Sequence, residues 1–166
     1  FGLLQQGVGR SRFLTAGMWL TARSFLLGIL VGTPWALAGV VIGSAEGGRS
    51  AWVESWWQPL IALQPGIAEE AWGRLLLVPL VFLLFRSVSA NRTAFSTALI
   101  VMAYWFAYLH ASGNVASVLV STLIVGSLFS LPISIVCLYY DLETAIGFHF
   151  WMDFLKFAFA LFFFNR

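Results

Sequence analysis

From about residue 24 to the C-terminus the chain alternates long apolar runs with brief polar interruptions, and each run is long enough to cross a bilayer. Five membrane segments are predicted, near 24–43, 60–85, 94–114, 116–139 and 143–164, joined by short loops. Residues 11–22 (SRFLTAGMWLTA) extend the first segment or lie in the interface, and 51–58 (AWVESWWQ) bunches Trp at the headgroup level, where amphipathic rings settle. In the first segment Gly28, Gly32, Ala36, Gly39 and Gly43 line small residues along one helical face. Small residues let backbones approach closely, so this reads as a packing face inside the bundle in preference to a dimerisation motif. Pro34, Pro79 and Pro132 are expected to bend or break their helices.

Composition turns this pattern into a fold class. Hydrophobic residues make up 60% of the chain and charged ones 10%, with sixteen Phe and eight Trp, where a soluble domain carries about a quarter charged residues. The expectation is an all-α, polytopic transmembrane helix bundle, about five membrane segments around a polar intramembrane cavity. The lipid bilayer is thus its first partner. A net charge of +2 gives no ground for nucleic-acid binding. The single cysteine, Cys137, precludes an internal disulfide, and no Cys/His spacing suggests structural zinc. No repeat or low-complexity tract divides the chain, so one membrane domain is expected, with residues 1–59 as N-terminal membrane or interfacial segments before a core of 60–166.

The chain opens on Phe1, from which processing, trimming or a longer parent chain is expected, and FGLLQQGVGRSRF lacks the pattern of a signal peptide. Arg10, Arg12, Arg23, Arg86 and Arg92 fall on one side of the predicted topology against Arg49 and Arg166 on the other, which favours a cytoplasmic N-terminus. Asn91-Arg92-Thr93 matches a glycosylation sequon at chance level.

Charge inside such segments is costly unless it is paired or faces water, so the few ionisable residues there are the functional candidates. They are Glu69, Glu70, Arg74, His110, His149, Asp153 and Lys156. Glu70 and Arg74 stand i,i+4 and can pair on one helical face, whereas Glu69 is turned about 100° away and must find another partner. Gly73 clears bulk on the face of Glu69, where a substrate or a second helix could approach. His149 and Asp153 repeat the i,i+4 spacing, so the carboxylate can orient the imidazole, and Phe106 covers the turn before His110. At about 1.5 Å per residue, Glu69 lies about 14 Å into its segment and His149 about 9 Å from the opposite face. In a core about 30 Å thick the two meet only with tilt or a water-filled cavity.

Glu69-Glu70-x-x-x-Arg74, Phe106-x-x-x-His110 and His149-x-x-x-Asp153, in that order and each in its own apolar segment, resemble the three signature motifs of the CPBP family of CAAX-protease and bacteriocin-processing membrane peptidases. The match covers roughly residues 60 to 160, and Pro65-Gly66 before the glutamates adds to it. The resemblance implies a protease core over 60–166 and an intramembrane endopeptidase, a hydrolase acting on a membrane-associated peptide or protein. In that family's chemistry Glu69 and His110 would hold and deprotonate the attacking water, His149 and Asp153 would stabilise the oxyanion, and Glu70 and Arg74 would brace the site, with Phe106 in support. Many relatives carry Asn where this chain has Asp153, and an ionised carboxylate cannot donate to an oxyanion; Asp153 is therefore expected to orient His149 and favour its cationic form. Members have been described both as glutamate-type and as metal-dependent. No metal is the reading favoured here, because the Glu–Arg pair and Asp153 already balance the charges; the alternative is a divalent ion such as zinc on Glu69, His110 and His149.

Each residue also has a plainer reading: an ion pair tying helices together for Glu70 and Arg74, helix-bridging polar groups for the histidines, and a pair with Lys156 for Asp153, with Lys156 itself snorkelling to the interface. No HExxH, GxGD or GxSG motif supports another class of intramembrane protease. A proton-coupled carrier would reuse the same groups, yet no halves repeat. The main alternative is a non-catalytic, CPBP-like scaffold or assembly subunit of a larger membrane complex.

Overall fold

A largely apolar run forms α1, Met18–Ala45, in the computed structural model, which describes residues 17–45 and 54–163. Gly17, at φ 79°, turns the chain into the helix, and the Thr21 hydroxyl donates back to its carbonyl at 3.1 Å. Arg10, Arg12, Arg49, Arg166, residues 11–16 and the first part of the Trp-rich stretch lie outside the described residues; Trp56 and Trp57 of that stretch are exposed.

The next helical stretch runs from Gln58 to Phe85 but changes pitch along its length. A 3-10 turn, Gln58–Ala62, leads into α2, Leu63–Glu70, then a π-helical segment, Ala71–Leu77, then α3, Val78–Phe85. After the turn at 86–90 comes α4, Asn91–His110. α5, Val115–Val125, is capped by the Asn114 side chain, which accepts from Ser117 N at 2.9 Å, and passes through a second π-helical segment, Gly126–Ser130, into α6, Leu131–Tyr139. α7, Leu142–Phe163, completes the described chain. The sequon residue Asn91 is the first residue of α4.

The protein is all-α, with no strand among the described residues. Among the described residues, four helical stretches are long and apolar enough to cross a membrane: Met18–Ser44, Asn91–His110, Val115–Tyr139 and Leu142–Phe163. The stretch 58–85 is the predicted segment that falls outside this set, and it is the one that carries Glu69, Glu70 and Arg74.

The prolines act in two ways. Pro34 lies inside α1 without breaking it. Pro79 and Pro132 each sit in the first turn of an α-helix that follows a π-helical segment directly. A proline lacks the N–H of the i→i−4 bond and its ring presses on the preceding turn; the wider π turn relieves both demands without ending the helix.

α1 packs along α7 more extensively than any other pair of elements. The contacts advance together along both helices, from Ser24 with Asp141, through Gly28 with Thr144 and Gly32 with Phe148, to Thr33 with Trp151, so the two run parallel. Glycine makes the approach tight from both sides: a Cβ at Gly28 would collide with the Thr144 carbonyl oxygen, and one at Gly147 with the Phe25 carbonyl oxygen. The predicted small-residue face therefore packs inside the molecule at Gly28, Gly32 and Ala36; a Cβ at Gly43 would meet nothing. At the head of this pair, buried Asp141 accepts from Thr144 N at 2.8 Å and from the Thr144 hydroxyl at 2.6 Å, capping α7, while the Ser24 hydroxyl donates to its other oxygen at 2.8 Å. A second apolar core joins α3 and α4 through Val78, Phe82, Phe95, Leu99 and Met102.

Candidate active site

α2 ends on the adjacent acids, and the helical turn between them sends Glu70 to Arg74 and Glu69 to His110, while His149 lies between the two. Glu70 and Arg74 are each 1% exposed, and Arg74 Nε lies 3.0 Å from Glu70 Oε2. This is the i,i+4 pair the spacing predicts, held by charge with its N–H out of line for a hydrogen bond. Glu69, at 24% exposure, faces two histidines: Oε1 is 3.6 Å from His110 Nε2 and Oε2 is 3.7 Å from His149 Nε2. His149 Nε2 also lies 3.5 Å from Asp153 Oδ2. Glu69, His110, His149 and Asp153, drawn from α2, α4 and α7, thus converge on one point.

The other ring nitrogens are anchored. His110 Nδ1 is 2.9 Å from the Phe106 carbonyl oxygen, which can only accept, so Nδ1 carries a proton and Nε2 is left to face Glu69. His149 Nδ1 is 2.8 Å from Glu70 Oε1. The group that orients His149 most directly is therefore Glu70 rather than Asp153 alone, because the two carboxylates engage opposite nitrogens and Glu70 makes the shorter contact. Phe106 packs between the histidines, its ring 4.3 Å from that of His110 and 6.0 Å, edge-on, from that of His149; Trp72 backs it at 6.3 Å.

Compared with known proteins, the chain matches no family model, no curated protein and no solved structure.

At two positions the structure selects between the stated alternatives. The space beside Gly73 is taken by a helix: a Cβ there would collide with the Met102 methyl group of α4. Lys156 is exposed, and the ion pair of Asp153 is with His149 and not with Lys156. Among the described residues, no three His, Cys, Asp or Glu side chains are arranged so that they could hold a metal ion.

Arg74 has partners that an inventory of ionisable residues misses. Its Nη1 donates to Met102 Sδ at 3.2 Å, and its Nη2 to Ser134 Oγ at 3.2 Å and to the Ser130 carbonyl at 3.4 Å. The signal available in the sequence was Ser130-x-x-x-Ser134, two hydroxyls one helical turn apart in an apolar segment.

The cluster reaches the molecular surface on one side. His110 is 47% exposed and Asp153 27%, whereas Glu70, Arg74 and His149 are buried behind them.

Proposed function

We propose that this chain is a multi-pass membrane protein of the CPBP type and an intramembrane endopeptidase that hydrolyses a peptide bond of a membrane-associated peptide or protein. The observation that carries the reading is the convergence of Glu69, His110 and His149 from three helices distant in sequence. His110 Nε2 and a Glu69 oxygen stand 3.6 Å apart, too far for a direct hydrogen bond. A water molecule lying to one side of the pair reaches both by hydrogen bonds.

In the reaction the water oxygen attacks the substrate carbonyl carbon while Glu69 takes its proton. The carbonyl oxygen becomes an oxyanion facing His149 Nε2. Glu69 then returns the proton to the amide nitrogen as the C–N bond breaks, leaving a carboxylic acid and an amine. Three carboxylates surround the His149 ring, Glu70 on Nδ1 and Asp153 and Glu69 on Nε2. In this reading the ring is protonated on both nitrogens: Nδ1–H is held by Glu70, and Nε2–H is the one donor left to face Glu69, Asp153 and the oxyanion. Asp153 supplies charge to that ring and no donor of its own.

The scaffold alternative calls for the cluster to be sealed by side chains, and the part-exposure of Glu69, His110 and Asp153 favours the hydrolase. The test is hydrolysis of a membrane-peptide library by the purified chain in lipid nanodiscs, in water enriched in oxygen-18. The label should enter each new C-terminal carboxylate, and no cleavage should be seen with Glu69→Gln. Equal cleavage by Glu69→Gln and the parent would overturn the assignment.

A further inference from the structure

Behind the surface cluster lies a chain of buried polar contacts that ends far from any place a substrate could touch. A guanidinium carries five N–H donors in a rigid plane, and the carboxylate facing Arg74, that of Glu70, meets its Nε alone. The remaining contacts fix the plane. Nη2 is held by Ser134 Oγ and by the Ser130 carbonyl, and Nη1 by Met102 Sδ. The Ser134 hydroxyl donates to that same Ser130 carbonyl at 2.8 Å, which spends its one hydrogen and leaves its lone pairs for Arg74. Ser134 is fully buried and Ser130 nearly so.

Glu70 divides its two oxygens between Arg74 and His149: Oε2 faces Arg74 Nε at 3.0 Å and Oε1 faces His149 Nδ1 at 2.8 Å. A carboxylate is planar, so a rotation of the guanidinium that pulls Oε2 must move Oε1 and the imidazole with it. We propose that Ser134 is a positioning residue for His149, acting through Arg74 and Glu70. Its hydroxyl helps hold the guanidinium plane, the charge of the guanidinium holds the near oxygen of the carboxylate, and the carboxylate, hydrogen-bonded to Nδ1, sets the angle at which His149 Nε2 meets Glu69 and Asp153. The consequence for rate rests on the hydrolase reading; the consequence for the imidazole does not.

The chain contains only two histidines, which makes the test direct. The full chain, labelled with nitrogen-15 at histidine and held in nanodiscs, gives side-chain resonances for His110 and His149 alone, assigned from a His110→Gln variant. Ser134→Ala should displace the His149 resonances and leave those of His110 in place, and Ser134→Thr, which keeps the hydroxyl, should restore them. In peptide hydrolysis Ser134→Ala should lower kcat about tenfold at unchanged KM, with Ser134→Thr near the parent. Unmoved His149 resonances in Ser134→Ala, or equal movement of both histidines, would overturn the proposal, since either marks a role in stability alone. Should Ser134→Ala fail to fold, Ser134→Cys, similar in shape but a weak hydrogen-bonding group, is read by the same criteria. If no form of the protein cleaves any peptide, the hydrolase reading fails while the resonances still decide the role of Ser134.

Discussion

His149 Nδ1 meets Glu70 Oε1 at 2.8 Å across 79 residues of chain, so the acid that pairs with Arg74 is also the acid that holds the buried histidine. The adjacent glutamates therefore divide their work, Glu69 at the accessible face of the cluster and Glu70 behind it.

That division predicts different outcomes for two isosteric changes. Glu69→Gln should abolish peptide cleavage while the thermal midpoint stays close to that of the parent, because Glu69 is partly exposed and makes no short hydrogen bond. An amide cannot take the proton of the attacking water. Cleavage assays read beside thermal melts of the same preparation check both halves.

Glu70→Gln should destabilise the bundle. The change leaves Arg74, 1% exposed, without a counter-charge, and breaking such a pair from one side costs about 3–5 kcal/mol. Arg74→Met should cost less than Glu70→Gln, since the carboxylate it leaves behind keeps His149 Nδ1 at 2.8 Å, whereas Glu70→Gln leaves a buried cation with neutral partners only. A melting series on the three proteins gives the ranking, and a Glu70→Gln protein as stable as the parent would contradict it.

At position 153 the expected change is in rate and not in stability. Asp153 lies 3.5 Å from His149 Nε2, is partly exposed and forms no pair with Lys156. Asp153→Asn should thus lower cleavage modestly, as the amide can itself donate toward the oxyanion, and should leave the thermal midpoint nearly unchanged. Lys156→Gln should affect neither. A large stability loss in Asp153→Asn would show that Asp153 is a structural partner instead.

The crossing of α1 and α7 gives a prediction about the scaffold. Gly28→Ala and Gly147→Ala each drive a methyl group into a backbone carbonyl oxygen of the facing helix, which cannot rotate aside as a side chain could. Each should destabilise the protein by about 1–3 kcal/mol. Gly147→Ala should also reduce cleavage, because Gly147 stands two residues before His149 on α7. Gly43→Ala, where the added methyl meets nothing, is the control and should be silent in both assays.

What could be read in the sequence was whatever the helical period makes local. The apolar runs announced the helices, and the spacing of four announced the pair Glu70–Arg74, the approach of Asp153 to His149 and the cover of Phe106 over His110. The period also implied that Glu69 must find a partner other than Arg74, and it faces His110 and His149, the second of which it shares with Glu70 across opposite ring nitrogens. Only the tertiary structure decided which neighbours. Contacts between helices depend on register and crossing angle, which no spacing within one segment encodes, and so the bonds of Glu70 to His149 and of Ser134 to Arg74, and the seating of Gly28 against Thr144, stayed invisible. The π-helical turns ahead of Pro79 and Pro132 belong to the same class. An extra residue in a turn rotates everything beyond it, a local change whose stabilisation comes from the packing it permits on distant helices.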